Sequence, residues 1–432
     1  MPSGYDKRAV LGWAMYDWAN SAFVTTVVAG FFPVYFKEYC SSGVDPAVST
    51  ARLGLATSLA GVAVALAAPA LGAVADRGSA RKRLLLAFAG MGIAMTCCLA
   101  LVPAGSWAAA AAVFAVATVG FSGANIFYDA LLPLVSSDGR RHRVSSLGYA
   151  LGYLGGGLLF AVNVLMVLRP SLFGISDAGQ AVRISFLTVG AWWALFTVPL
   201  VLFVREPSDA AVRWGLAAVA DGFRRLAGTL ARVRRLRTVL LFLAAYWCYI
   251  DGVDTVIHMA VDYGLSLGFP KASLIKALLI TQFVGFPSAL GFGWLGDRIG
   301  AKRAIYIALA VYLLVTVWGA FMRSPREFYV LAVVVGLVQG GVQALSRSFF
   351  AGIVPVGRAA EFFGFYNMLG KFAVVLGPVL MGGVALAARS LGAPGHTASR
   401  LSISSVAVLF VAGWLLLSMV DERRARAELG SL

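Results

Sequence analysis

Charge is scarce in this chain. Only 13% of its 432 residues are Asp, Glu, Lys or Arg, about half of the roughly 25% usual in soluble domains. That shortage excludes a soluble enzyme as the bulk of the protein. It also removes the nucleic-acid reading of a net charge of +16, because no soluble domain exists to carry it. Cysteine is rarer still. Cys40, Cys97, Cys98 and Cys248 have neither metal-ligand spacing nor the pattern of a disulfide framework, so no metal site is expected. Strand-period alternation is missing, which excludes a membrane β-barrel. No Walker sequence and no nucleophile paired with a base on a shared face occurs, so the chain is read as a non-enzyme that needs no cofactor.

What is present is apolar. Hydrophobic residues make up 60% of the chain, and mean hydropathy is +0.83. Crossing ~30 Å of hydrocarbon takes about 20 apolar residues. Such segments run at 11–36, 51–75, 84–103, 107–134, 144–168, 181–204, 238–263, 272–296, 304–322, 327–354, 361–388 and 401–420. The fold class expected is therefore an all-α integral membrane protein with twelve transmembrane helices. The first segment follows Lys7 and Arg8 as a secretory signal would, yet its length and its internal Asp17 and Asn20 predict a retained helix. Of the 36 Lys and Arg, 24 fall in the N-terminus, the even-numbered loops and the C-terminal tail, against 10 in the odd-numbered loops. The positive-inside rule then places both termini in the cytoplasm, facing anionic lipid.

The chain repeats itself. The loop after the second segment reads GAVADRGSARKR and the loop after the eighth reads GWLGDRIGAKR; both begin G-x-x-x-D-R and end in a basic cluster. A second echo pairs YDWANS, from Tyr16, with IDGVDT, from Ile250. Two six-helix halves of parallel topology follow, 1–204 and 238–432. The linker at 205–237 has an apolar stripe with arginines mostly off it, which predicts an amphipathic helix on the inner membrane face.

The paired loops resemble the signature loop of the major facilitator superfamily, although the first copy puts Gly78 one position early. The stretches YDWANSAF (16–23), RVSSLGYALGYLGGGLL (143–159), GLVQGGVQALSR (336–347) and EFFGFYNMLGKFAVVLGP (361–378) are similar to one branch of it. That branch holds bacterial "unknown major facilitator" proteins and the fungal vacuolar amino-acid effluxers of autophagy. The resemblance implies two six-helix bundles around a central cavity, rocker-switch alternating access, and a small substrate such as an amino acid. It further implies that the first, fourth, seventh and tenth helices line the cavity, and that Asp76, Arg77, Asp297 and Arg298 act in gating.

The polar residues agree with that placement. Asp17, Asn20 and Ser21 lie on one arc of the first segment, and Asn125 and Asp129 are four apart on the fourth. Asp251, Asp254, Thr255, His258 and Asp262 share one arc of the seventh, while Gln339, Gln343 and Arg347 recur at four-residue steps on the tenth. An ionised Asp facing lipid at the bilayer centre costs about 2.5–3.5 kcal/mol even on insertion scales, so these stripes imply a shared polar cavity or mutual pairing. The eleventh segment adds Asn367 and Lys371, whose ammonium needs a counter-ion. The expected substrate contacts are Asp17, Asn20, Asn125, Asp129, Gln339, Gln343, Asn367 and Lys371. The expected proton-coupling residues are Asp251, Asp254 and His258, with protons and a small solute as partners. Export of cationic amphiphiles, a non-transporting receptor and a lipid scramblase are the competing readings. The glycines of LGYALGYLGGG predict close helix packing and not a phosphate loop.

Overall fold

A computed structural model describes residues 6–43, 46–77, 80–206, 236–421 and 424–425. Among them there is no β-strand, and the backbone polar groups are satisfied within helices, as hydrocarbon requires. We number twelve helices: α1 (Lys7–Cys40), α2 (Pro46–Arg77), α3 (Arg81–Cys98), α4 (Trp107–Val135), α5 (Arg141–Leu168) and α6 (Ala178–Phe203). They continue with α7 (Arg237–Ser266), α8 (Lys271–Ile299), α9 (Ala301–Phe321), α10 (Pro325–Gly352), α11 (Ala359–Ser390) and α12 (Gly395–Ser405 and Ala407–Ser418). Ten stretches are long and apolar enough to cross a membrane, and α2 and α11 contain shorter ones at Arg52–Ala68 and Val379–Ser390. The predicted amphipathic linker helix lies almost wholly outside the described residues.

Local chemistry sets the helix ends. Asp6 opens α1 by accepting the Arg8 amide at 2.9 Å, and Asp177 opens α6 by accepting that of Gln180 at 2.8 Å. Ser324 and Glu327 form a capping box at α10, with Glu327 reaching back to the Arg323 amide at 3.2 Å. Over Phe23–Phe31, just past its polar residues, α1 widens into i→i+5 turns.

The described residues fall into two compact units. Unit 1 comprises Met1–Ser137, Leu151–Phe223 and Gly357–Asn367; unit 2 comprises Asp138–Ala150, Arg224–Val356 and Met368–Leu432. The first ten residues of α5 thus belong to unit 2, and the first turns of α11 belong to unit 1. Inside unit 1, α3 packs on α4, α1 on α6, α2 on α4 and α3 on α6. Inside unit 2 the equivalent pairs meet: α9 on α10, α7 on α12, α8 on α10 and α9 on α12. The sequence duplication is therefore a duplication of packing.

Lipid is as apolar as leucine, so these helices are held by close packing and hydrogen bonds and not by the hydrophobic effect. The glycine run of α5 packs as expected: Gly152 and Gly155 lie against Ser21 and Trp18 of α1 with no room for a methyl group, and one on Gly156 would sit 3.1 Å from Thr25 Oγ1. Many large apolar side chains point outward instead, such as Leu55, Leu66, Leu195, Leu314 and Leu386, as lipid-facing positions should.

Candidate functional site

In unit 1 the polar residues of α1 and α4 find each other. The Asn20 amide donates to Asn125 Oδ1 at 2.7 Å, and Asn20 is only 2% exposed. One turn nearer the signature loops, Tyr128 donates its hydroxyl to Asp17 Oδ2 at 3.0 Å. Tyr128 is fixed in turn by Trp13, which stacks on it at 4.4 Å and donates its indole N–H to the Tyr128 carbonyl at 2.9 Å. Asp129, buried on the neighbouring position, accepts the Asn367 amide at 3.1 Å, and Asn367 also donates to the Phe363 carbonyl. Five of the residues expected to contact substrate thus take part in three hydrogen bonds, Asn20 to Asn125, Tyr128 to Asp17 and Asn367 to Asp129, along α1, α4 and the start of α11.

Unit 2 arranges its carboxylates differently. Asp251 is fully buried, and its Oδ1 accepts the backbone amide of Gly377 at 2.9 Å and the Thr255 hydroxyl at 3.3 Å, while Oδ2 stays buried without a partner. Pro378 follows Gly377, so α11 lacks one helical donor at this point, and the Asp251 carboxylate binds α11 where its ladder is interrupted. Asp254, one turn on, is half-buried. The backbone at Arg77, His258, Asp262 and Lys371 is helical, and their side chains lie outside the described set.

The α10 stripe divides by depth. Gln343 is half-buried. Gln339, a turn further from the signature loops, lines an almost wholly apolar cavity inside unit 2. Arg347, 2% exposed, reaches α5: it donates to the Ser145 hydroxyl at 2.9 Å and carbonyl at 2.7 Å, with its guanidinium 4.2 Å over the Tyr149 ring. Its role was not anticipated, although a lone arginine inside an apolar segment was the signal for it.

Both signature-loop acids hold the first turns of another helix. Asp76 accepts the Ala360 and Glu361 amides at 3.1 and 2.8 Å, so it caps α11 from outside, and it pairs with Arg81 at 2.6 Å. Asp76 lies beyond the apolar stretch of α2, and burial pushes its carboxyl up to about 6 against the opposing pull of Arg81 and the two amides. Asp297 instead pairs with Arg143 on α5. The motif glycines make these approaches possible: a Cβ on Gly72 would strike the Ala360 carbonyl, and one on Gly293 would sit 2.7 Å from Ser146 Cβ. Arg298 lies 4.1 Å over the Trp294 ring.

The basic ends of the loops close neighbouring helices, a role not anticipated from sequence. Lys82 donates to the Val201 and Val204 carbonyls at 2.6 and 2.7 Å at the end of α6. Glu206 answers by accepting the Arg81 and Lys82 amides. Lys302 donates to the Ser418 and Val420 carbonyls at 3.3 and 2.6 Å, ending α12 in the same way.

Comparison with known proteins bears on the family and the fold. Residues 47–430 match the family described as vacuole effluxer Atg22 like. The MFS-type transporter YxiO of Bacillus subtilis (strain 168) is 38% identical over 412 residues, covering 95% of this chain and 94% of that one. Autophagy-related protein 22-2 of Aspergillus clavatus is 27% identical over 267 residues, which is 56% of this chain and 43% of that protein. Among solved structures, the human organic anion transporter MFSD10 aligns with a TM-score of 0.66 at 18% identity, over 95% of this chain and 98% of that one. A double-Trp mutant of XylE aligns with a TM-score of 0.71 at 14% identity, over 97% of both chains; these two likenesses bear on the fold alone. The chain belongs to the Atg22-like family and has the twelve-helix fold of the major facilitator transporters.

Proposed function

We propose that this member of the Atg22-like family is a secondary transporter of a small zwitterionic solute of the amino-acid class, working by alternating access and coupled to protons. It sits in a bacterial inner membrane with both termini cytoplasmic. The observation that carries the reading is the pair of signature-loop acids. Asp76 in the first half of the sequence holds the start of α11, and Asp297 in the second half is paired with the start of α5. Alternating access needs bonds of this kind that break and remake as a set.

The substrate contacts in this reading are Asp17, Asn20, Asn125, Asp129, Gln339, Gln343, Asn367 and Lys371. Lys371 would meet the anionic end of a zwitterion and the carboxylates its cationic end. Asp251, Asp254 and His258 would carry the proton, because a carboxylate that is dry in one state and wet in the other binds a proton with two different affinities. Asp251 has the additional feature that protonation would weaken its hold on α11 at Gly377.

The test is uptake of labelled amino acids into proteoliposomes under an imposed pH gradient, for wild type and for Asp17→Asn, Asp251→Asn and Asp254→Asn. Gradient-driven accumulation lost at position 251 or 254 is the expected result. No accumulation in wild type would overturn proton coupling, and loss confined to Asp17→Asn would move the coupling site to the first half. Saturable binding without counterflow would instead indicate a receptor. Equilibration of labelled lipid without saturable solute uptake would indicate a scramblase.

A further inference from the structure

Unit 2 holds a partly open cavity of about 100 Å³ lined by α7, α8, α9, α10 and α12, away from the loop between α8 and α9. Its walls are built from small or apolar side chains, among them Ala260, Ala277, Gly319 and Ala332, and no charged residue is among the described residues that line it. The volume is of the order of the ~150 Å³ apolar cavity known to take up benzene.

The hydroxyls around this space are already committed to backbone. Tyr263 donates to the Gly319 carbonyl at 2.9 Å, Thr281 to the Ala277 and Ala332 carbonyls at 3.0 and 3.2 Å, and Thr316 to the Tyr312 carbonyl at 2.7 Å. Gln339 is the exception. Among the described lining residues, its Oε1 is the side-chain polar atom buried without a hydrogen-bond partner. A buried acceptor left unpaired is costly, and a water molecule needs two to four polar partners to be comfortable in such a place.

We infer that this cavity is a binding site for a small uncharged ring compound bearing one hydrogen-bond donor, a phenol-like molecule whose O–H meets Gln339 Oε1 while its ring fills the apolar space. The described lining residues offer a charged ligand no charged side chain, and a purely apolar ligand would leave the Gln339 carbonyl unmet. Gln339 is shared with the residues expected to contact the transported solute, but the inference draws only on the apolar cavity and its unpaired acceptor, so it stands whether or not the transport proposal does.

The experiment uses the full chain in lipid nanodiscs and 19F NMR titration with three probes: 4-fluorophenol, fluorobenzene and 4-fluoroanisole. The expected result is saturable binding with 4-fluorophenol about tenfold tighter than fluorobenzene, the ratio that one recovered hydrogen bond supplies. Gln339→Leu should bring that ratio to about one while fluorobenzene still binds, and Ala332→Leu, which fills the space, should abolish saturable binding of both. Ala277→Leu fills it from another helix and serves if Ala332→Leu does not fold. Partitioning that never saturates, binding unaltered in a filled variant that folds, or a preference for 4-fluorophenol surviving Gln339→Leu would overturn the inference. Tighter binding of 4-fluoroanisole, which offers only an acceptor, would do the same.

Discussion

The loop between α2 and α3 and the loop between α8 and α9 carry one motif and use it in two environments. Asp76 is dry: its side chain is 8% exposed, Arg81 beside it 6%, and two backbone amides complete its shell. Asp297 is 13% exposed, but its partner Arg143 is 60% exposed and stands in water. In unit 2 the buried hold on α5 passes to Arg347, whose guanidinium reaches Ser145 and Tyr149. Repetition of a motif therefore preserved the positions of the contacts and exchanged which of them is desolvated. Energies should follow the burial and not the motif, because low dielectric magnifies both a bond and its loss.

The widest gap should come from Asp76→Ala. It strands a buried arginine and two helix-terminal amides at once, and losing one partner of a buried pair costs about 3–5 kcal/mol. Thermal unfolding of the purified protein measures it; a shift no larger than that of a surface substitution would break the comparison at its base.

Arg347→Lys comes next. Lysine keeps the charge but not the fork that reaches two oxygens of Ser145 or the planar stack on Tyr149. The loss expected is about 1.5–3 kcal/mol, the range for hydrogen bonds to a charged group. If Arg347→Lys is silent in thermal unfolding, the hold on α5 must lie elsewhere in unit 2.

An effect of the same order should show the burial of Asp76 in the pH dependence of stability. Burial holds the folded Asp76 carboxyl at about 6, above the roughly 3.9 of an unfolded aspartate. The fold then binds this proton more tightly than the unfolded chain does, so the resulting stabilisation is complete below about pH 4 and is lost as pH rises through 6. Subtracting the stability profile of Asp76→Asn from that of wild type should leave a step falling across pH 4–6. A flat difference would show that Asp76 is better solvated than its surroundings indicate.

The least effect is expected from Asp297→Asn, about 0.2–1 kcal/mol, because its partner is mostly hydrated. That loss should shrink with added salt, whereas the Asp76→Ala loss should not. Equal salt sensitivity at both positions would erase the distinction between the two loops.

Several features of the site could be read before any fold was known, and others could not. The four-residue step between Asn125 and Asp129 and the arc shared by Asp17 and Asn20 mark polar faces of α1 and α4, because helical period is a local property. That Asn20 meets Asn125, that Asp17 takes the Tyr128 hydroxyl, and that Asp129 passes to Asn367 depends on which faces oppose. The interval from Asn20 to Asn125 spans two intervening helices, α2 and α3, and nothing in either local sequence encodes the register between them. Lys82 and Lys302 show the same limit: both read as positive-inside charge, and only folding shows each ammonium seated on the carbonyls ending α6 and α12.

The sequence by itself determined that this protein lies in a membrane, that its elements are helices, and that it was built by doubling a six-helix unit. Hydrocarbon imposes those outcomes on any chain with twelve apolar runs, too little charge for water, and a G-x-x-x-D-R loop in each half. Only the tertiary structure decided how the copies diverged. Asp76 stands five residues before Arg81, the first residue of α3, while Asp297 stands four before Ala301, the first of α9. That single extra residue is visible in the two loop sequences, but its consequence is not: one acid ends on the amides of α11 and the other beside a hydrated arginine. Burial, partner and dielectric belong to the assembled helices, because each is a property of what surrounds a side chain and not of its place in the chain.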